Sequence, residues 1–211
     1  MEAMRKQAAE LAAAQHEPTI RRSVQESSQL SPELWNDSRC KQETDELVRL
    51  LLQPGILKLF AIHEAGHEIY YRRAGCTAFV FDSPRIIYNE GNENPFTEQR
   101  ARIRLGNYIQ PEGDDWLLKL ARGYAAGGRC SLALTTTDYG GDKKDRELFD
   151  DLCAKSAPNM SKTDMDNMYA NAQKDIDSDL IDVAFQAEVR ARAQEIMPQL
   201  FPWLRTPDNH Q

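Results

Sequence analysis

Cysteine is scarce in this chain of 211 residues: four are present, Cys40, Cys76, Cys130 and Cys153, and they stand far apart. They make neither the C-x-x-C pairs of a zinc ribbon nor the density of a disulfide-stapled secreted domain, so reduced thiols in a cytoplasmic protein are expected. Long apolar runs are also lacking. The charge-free stretch 50–57 is interrupted by Gln53, Pro54 and Gly55, far short of the roughly 20 apolar residues that a bilayer span needs. Residues 1–18 set Glu2, Arg5, Lys6 and Glu10 among their alanines and so lack the uninterrupted apolar core of a secretory signal. Basic residues are outnumbered, 26 against 33 acidic, for a net charge of −7. A polyanion would approach against that field, which excludes nucleic acid and anionic membranes as expected partners. No G-x-x-x-x-G-K-[ST] loop occurs, so no ATPase module is expected.

What is present is the composition of a folded protein, with 41% apolar and 28% charged residues, on a length suited to one compact domain with a helical extension. Residues 1–44 are polar and read as a helical or flexible appendage, with an alanine-rich helix over 2–15 and a Ser/Gln/Glu segment broken by Ser31-Pro32. Residues 45–205 read as the folded domain and 206–211 as a tail. A short helix from 45 must end at Pro54-Gly55, because proline neither donates to a helix nor fits its interior. A second spans 56–73, with Gly75 as its terminator. The β-branched and aromatic runs 77–82 and 85–88, separated by Ser83-Pro84, predict a small two-strand element, followed by a polar loop over 89–96. Apolar residues at helical spacing predict a core helix over 114–132. Further helices are expected from about 142, over 163–174 and over 178–197, the last ended by Pro198 and Pro202. The expected fold is therefore α+β and mostly helical.

The residues that carry chemistry are His63-Glu64-Ala65-Gly66-His67. On a helix the two histidines lie four positions apart, about 40° in azimuth and about 6 Å in rise, so both imidazoles project toward one point. That arrangement suits zinc. Glu64 sits one step off the ligand face, where its carboxylate can reach a metal-activated water, take its proton and pass it to a leaving amine. This is the logic of the zinc peptidases. Gly66 costs about 1 kcal/mol against alanine inside a helix, which points to close backbone packing beside the pair.

A third ligand is needed, and the remaining histidines, His16 and His210, lie in the polar head and next to the C-terminus. A carboxylate is therefore sought. Asn89-Glu90 resembles the ligand dipeptide of thermolysin-like enzymes in type and distance, although no apolar stripe marks a ligand helix around it. Asp138, Asp142 and Asp145, at the start of the helix after the core helix, are the other candidates.

The His63-Glu-Ala-Gly-His67 motif, then Ala125-Ala-Gly-Gly-Arg-Cys-Ser-Leu132, then Gly141-Asp-Lys-Lys-Asp145, together resemble the peptidase domain of the FtsH family of AAA proteases over residues 56–155. The chain departs from that family at Cys130 and Ser131, where the family has acidic residues, and in lacking the ATPase module. The resemblance implies a zincin-like helical domain, with Asp145 as third ligand and Asp142 as its alternative. It also implies a zinc-dependent endopeptidase without a motor, acting on peptides or unfolded proteins, alone or as a homo-oligomer, or with a partner that delivers substrate. A zinc-stabilised helical module that cleaves nothing is the alternative of a different class.

Other residues are open to functional readings. Tyr70, Tyr71 or Tyr88 could donate to an oxyanion, and Arg129 could pair with a carboxylate beside the site. Cys40 could reach the metal from a mobile segment and silence it. The acidic run 175–182 reads as a solvated helix start.

Overall fold

The computed structural model describes residues 16–106, 115–135 and 141–205. In chain order these form α1 (16–28), α2 (Pro32–Asn36), α3 (Ser38–Leu51), α4 (Ile56–Arg73), β1 (Phe79–Asp82), β2 (Arg85–Tyr88), β3 (Phe96–Gln99), β4 (Arg102–Leu105), α5 (Trp116–Thr135), α6 (Gly141–Ser156), α7 (Lys162–Asp179) and α8 (Val183–Leu200), with a 3-10 turn at Pro202–Leu204. The fold is α+β and mostly helical. Among the described residues no helix is long and apolar enough to cross a membrane. The alanine-rich helix expected over 2–15 and the tail 206–211 lie outside the described residues. Two compact units share the chain discontinuously: one takes 1–57, 81–102 and 197–211, the other 58–80 and 103–196.

The first unit is built on α3. Its buried Cys40, Thr44, Leu47, Val48 and Leu51 recur at helical spacing, and Ile20 and Val24 of α1 are buried as well. Ser31-Pro32 is a helix start: the Ser31 hydroxyl accepts from the Leu34 N–H and Pro32 occupies the first turn, where its missing donor costs nothing. Asp37 caps α3 in the same way, accepting from the Arg39 N–H at 2.8 Å. Strands β2 and β3 pair antiparallel in the register Arg85↔Gln99 to Tyr88↔Phe96, and β3 packs on α3. The loop expected over 89–96 is seen over 89–95, and Phe96 already opens β3. Strands β3 and β4 carry no strong sequence signal, because Phe-Thr-Glu-Gln and Arg-Ile-Arg-Leu are short and half polar. β1 and β2, read from sequence as one element, do not pair with each other: β1 pairs with β4 and β2 with β3.

In the second unit every residue of α4 from Leu59 to Tyr71 is buried, as expected of a helix surrounded by others. Its end is a Schellman motif: Gly75 turns at φ +90°, and the Cys76 N–H donates to the Tyr71 carbonyl at 2.9 Å. α5 packs against α6 and α7. Glu68, fully buried on α4, is matched by Arg72 and by a two-pronged bond from Arg192 of α8 at 2.6 and 2.9 Å. That pairing meets the requirement that a buried carboxylate be charge-compensated.

Two expectations about the C-terminal helices are corrected. The acidic run 175–182 is not a helix start; it closes α7 and turns into α8. Carboxylates at a helix C-terminus oppose the helix dipole, and here arginines offset them: Arg122 holds Asp175, Arg129 holds Asp177 and Arg73 holds Asp179, at 2.6 to 2.8 Å. Arg129 therefore belongs to this ladder. Pro198 does not stop α8, which continues to Leu200 with the proline in its last turn.

Candidate metal centre

Three donor atoms converge in the second unit. The Nε2 atoms of His63 and His67 are 2.9 Å apart, and Asp145 Oδ2 stands 3.2 Å from the first and 3.3 Å from the second. Among the described residues this is the one cluster of three groups able to hold a metal ion. The histidines come from successive turns of α4 and the aspartate from the first turns of α6. His63 and His67 are buried, and the Asp145 side chain is 14% exposed.

The orientation of the rings is set from behind. His67 Nδ1 lies 2.7 Å from the Gly123 carbonyl oxygen, so this nitrogen carries a proton and donates, and Nε2 faces the other two donor atoms. Glycine is required along this side of α5. A Cβ at Gly127 would overlap His67 Nε2 and stand 2.7 Å from His63 Nε2, and one at Gly123 would overlap the ring of Tyr71. A Cβ at Gly66, the glycine inside the motif, would lie 2.8 Å from the Ala126 carbonyl oxygen and 3.0 Å from Cys130. α4 and α5 thus meet backbone to side chain, with His63, His67 and Tyr71 laid along the Gly123-Gly127 track. The Tyr71 ring lies nearly parallel to that of His67, at 6.1 Å and 19°.

The electrostatics of the cluster favour positive charge among its donor atoms. Burial opposes a charge on His67, yet the carboxylates of Asp145 and Glu64 outweigh it and push its pKa up to about 9. Burial and the neighbouring His67 push His63 down. Burial works against the Asp145 carboxylate too, but the two imidazoles hold it well below the usual carboxylate range. Asp145 Oδ2 is buried and accepts no hydrogen bond from a described group. Two imidazoles and a carboxylate oxygen this close are stable together only with positive charge among them, supplied by a proton on His67 or by a metal ion. The spacing suits an ion: bonds of about 2.0–2.1 Å in tetrahedral geometry place donor atoms roughly 3.3 Å apart.

Glu64 is buried next to the ligands, and its Oε2 accepts the Ile103 N–H of β4 at 2.7 Å, which fixes the plane of the carboxylate. Glu90 is exposed on the β2–β3 turn and is not part of the cluster. Asp138 lies outside the described residues, and of Asp142 only the backbone, on α6, is described. The Tyr70 O–H donates a hydrogen bond to Asp179 at 2.6 Å. Cys40 is no mobile ligand: it is buried on α3, and burial raises its thiol pKa.

Gly123, Gly127 and Ile103 are site residues that reading the sequence did not single out. The glycines had a signal, since two of them four apart inside a helix cost about 1 kcal/mol each against alanine unless something packs there. Ile103 had none, because a backbone N–H leaves no mark in a sequence. Compared with protein-family models, with curated proteins and with solved structures, the chain matches none.

Proposed function

We propose that the chain is a zinc-dependent endopeptidase that hydrolyses peptide bonds in unfolded segments without ATP. The observation that carries this reading is the triangle of His63 Nε2, His67 Nε2 and Asp145 Oδ2, with a buried carboxylate one residue from the first ligand. Two neutral imidazoles and one carboxylate are a donor set for zinc that leaves a coordination position open. A zinc ion held there supplies a Lewis acid for the scissile carbonyl and lowers the pKa of its water.

The chain's own groups do the rest. Glu64, steadied by the Ile103 N–H, takes the proton from the attacking water and delivers it to the leaving nitrogen. The Gly123 carbonyl keeps His67 in the tautomer that a ligand needs. Glu64 also weighs against a merely structural ion, since a closed structural site has no use for a buried base beside it.

The test is Glu64→Gln against His67→Ala in the full chain, with zinc measured by elemental analysis and cleavage of an unfolded labelled polypeptide followed by gel. Glu64→Gln should keep about one zinc per chain and lose on the order of a thousandfold or more in rate; His67→Ala should lose both. Hydrolysis by Glu64→Gln at the wild-type rate would overturn the mechanism.

A further inference from the structure

Asp145 stands where a helix is held least by its own bonds. It is the fifth residue of α6, whereas His63 and His67 lie in the body of α4. The first four N–H groups of a helix have no partner within it, so contacts from outside must fix where the start of α6 lies and which way it faces.

Two neighbours of Asp145 on α6 supply those contacts. Arg146, the next residue, projects about 100° around the helix from Asp145 and reaches α7. Its Nη2 donates to Asp166 at 2.5 Å, its Nε donates to Asp150 at 2.9 Å, and its guanidinium lies 4.7 Å over the ring of Tyr169. A planar guanidinium bonded through two nitrogens and stacked on a ring has a defined orientation, which a flexible ammonium lacks. Clamped to α7 in this way, the start of α6 resists turning about its axis.

Phe149, fully buried, follows Asp145 by four residues and shares its helix face. From it a run of rings crosses α5 to the histidine helix. Phe149 lies 6.0 Å from Tyr124, Tyr124 lies 5.8 Å from Tyr71, and Tyr71 lies 6.1 Å from His67. Phe149 also lies 5.4 Å from Tyr169, under the Arg146 guanidinium, so rings and clamp close one circuit from ligand to ligand. Close-packed side chains compress little and transmit strain, so this run sets how far α6 stands from α4. A metal site tolerates only about 0.2 Å in its bond lengths.

We infer that Arg146 and Phe149 are positioning residues for the metal: Arg146 fixes the rotation of α6 and Phe149 its distance from α4, so that Asp145 Oδ2 meets the two imidazoles. This rests on Asp145 being the third ligand. It makes metal affinity depend on Asp166, a half-exposed side chain on α7 that is no ligand itself.

The experiment is cobalt titration of the full chain followed by visible absorption, which reports coordination geometry as well as affinity, with thermal melts of the metal-free protein alongside. Asp145→Ala gives the spectrum of a site without its third ligand. Arg146→Met and Phe149→Leu should weaken cobalt binding about tenfold or more and move the spectrum toward that of Asp145→Ala. Asp166→Ala cuts the far end of the clamp at the surface. It should weaken cobalt binding about threefold or more with a metal-free melting midpoint near wild type, which keeps the test valid if Arg146→Met misfolds. Ile176→Ala, a core truncation on α7 outside the circuit, should lower the midpoint and leave the spectrum unchanged. Wild-type affinity and spectrum in Asp166→Ala or in Phe149→Leu would overturn the inference, as would an equal spectral change in Ile176→Ala. An unchanged spectrum in Asp145→Ala would instead overturn the assignment of the third ligand.

Discussion

The Gly123 carbonyl oxygen and His67 Nδ1, 56 residues apart in sequence, are 2.7 Å apart in space. Through that one bond the backbone of α5 sets the tautomer of a side chain on α4, and the nitrogen left over faces Asp145. The same track of α5 must carry no side chain at its next turn, Gly127, for the two imidazoles to meet.

Gly127→Ala is therefore expected to damage the metal site more than a methyl group in a helix ordinarily would. Overpacking should cost about 1–3 kcal/mol, and displaced imidazoles should lower zinc affinity about 10- to 100-fold. A chelator-competition titration with a thermal melt measures both. Unchanged zinc affinity would mean that the close approach of α5 does not constrain the ligands.

Asp145→Ala should abolish stoichiometric zinc, because it removes the only anionic member of the triangle. Glu90→Ala should leave zinc content at the wild-type level, since Glu90 is exposed on a turn and outside the cluster. Elemental analysis of the two purified variants decides this, and the reverse result would reassign the third ligand.

The metal-free protein should lose stability between pH 6.5 and 9. Folding raises the His67 pKa from 6.5 to about 9, so its contribution is complete below 6.5 and disappears as pH climbs through the folded value. His63 is shifted the other way; its effect falls below pH 6.5 and leaves this window alone. Asp145, depressed from 3.8, contributes above that value and loses its contribution in acid. Melting midpoints of chelator-treated protein at pH 6.5 and 9 test the sign. Added zinc should raise the midpoint more at pH 9, where it displaces fewer protons from His67 than at pH 6.5. A flat metal-free profile would show that His67 does not hold the proton.

The thiols should be silent while the chain is folded. Cys40, Cys76, Cys130 and Cys153 are buried, and burial raises each, Cys130 to about 12. Iodoacetamide at pH 8 should leave all of them unmodified in native protein and alkylate all of them in denaturant. Mass spectrometry that finds rapid native modification of Cys40 would place it on a mobile segment after all.

The histidine pair and its helix were legible because an i, i+4 spacing is local geometry: once residues 56–73 coil, the imidazoles share a face whatever surrounds them. Helix ends were legible for the same reason wherever a special residue enforced them, as at Gly75. Where termination depended on context the reading missed. Pro198 is tolerated in a last turn, and the aspartates at 175, 177 and 179 close a helix because arginines far away in sequence hold them. The polar stretch 16–44 likewise hides Ile20, Val24, Cys40 and Thr44, whose burial is visible only once α1 and α3 are folded.

Sequence alone determined the two imidazoles on one helix face, the carboxylate beside them and the mostly helical character of the chain, since all of these follow from spacing within one segment. Tertiary structure decided which of several carboxylates completes the cluster, which backbone groups hold His67 and Glu64, and which strands pair. Each of those depends on a contact between segments brought together by packing, and neither helical periodicity nor residue type encodes how far apart two segments will lie.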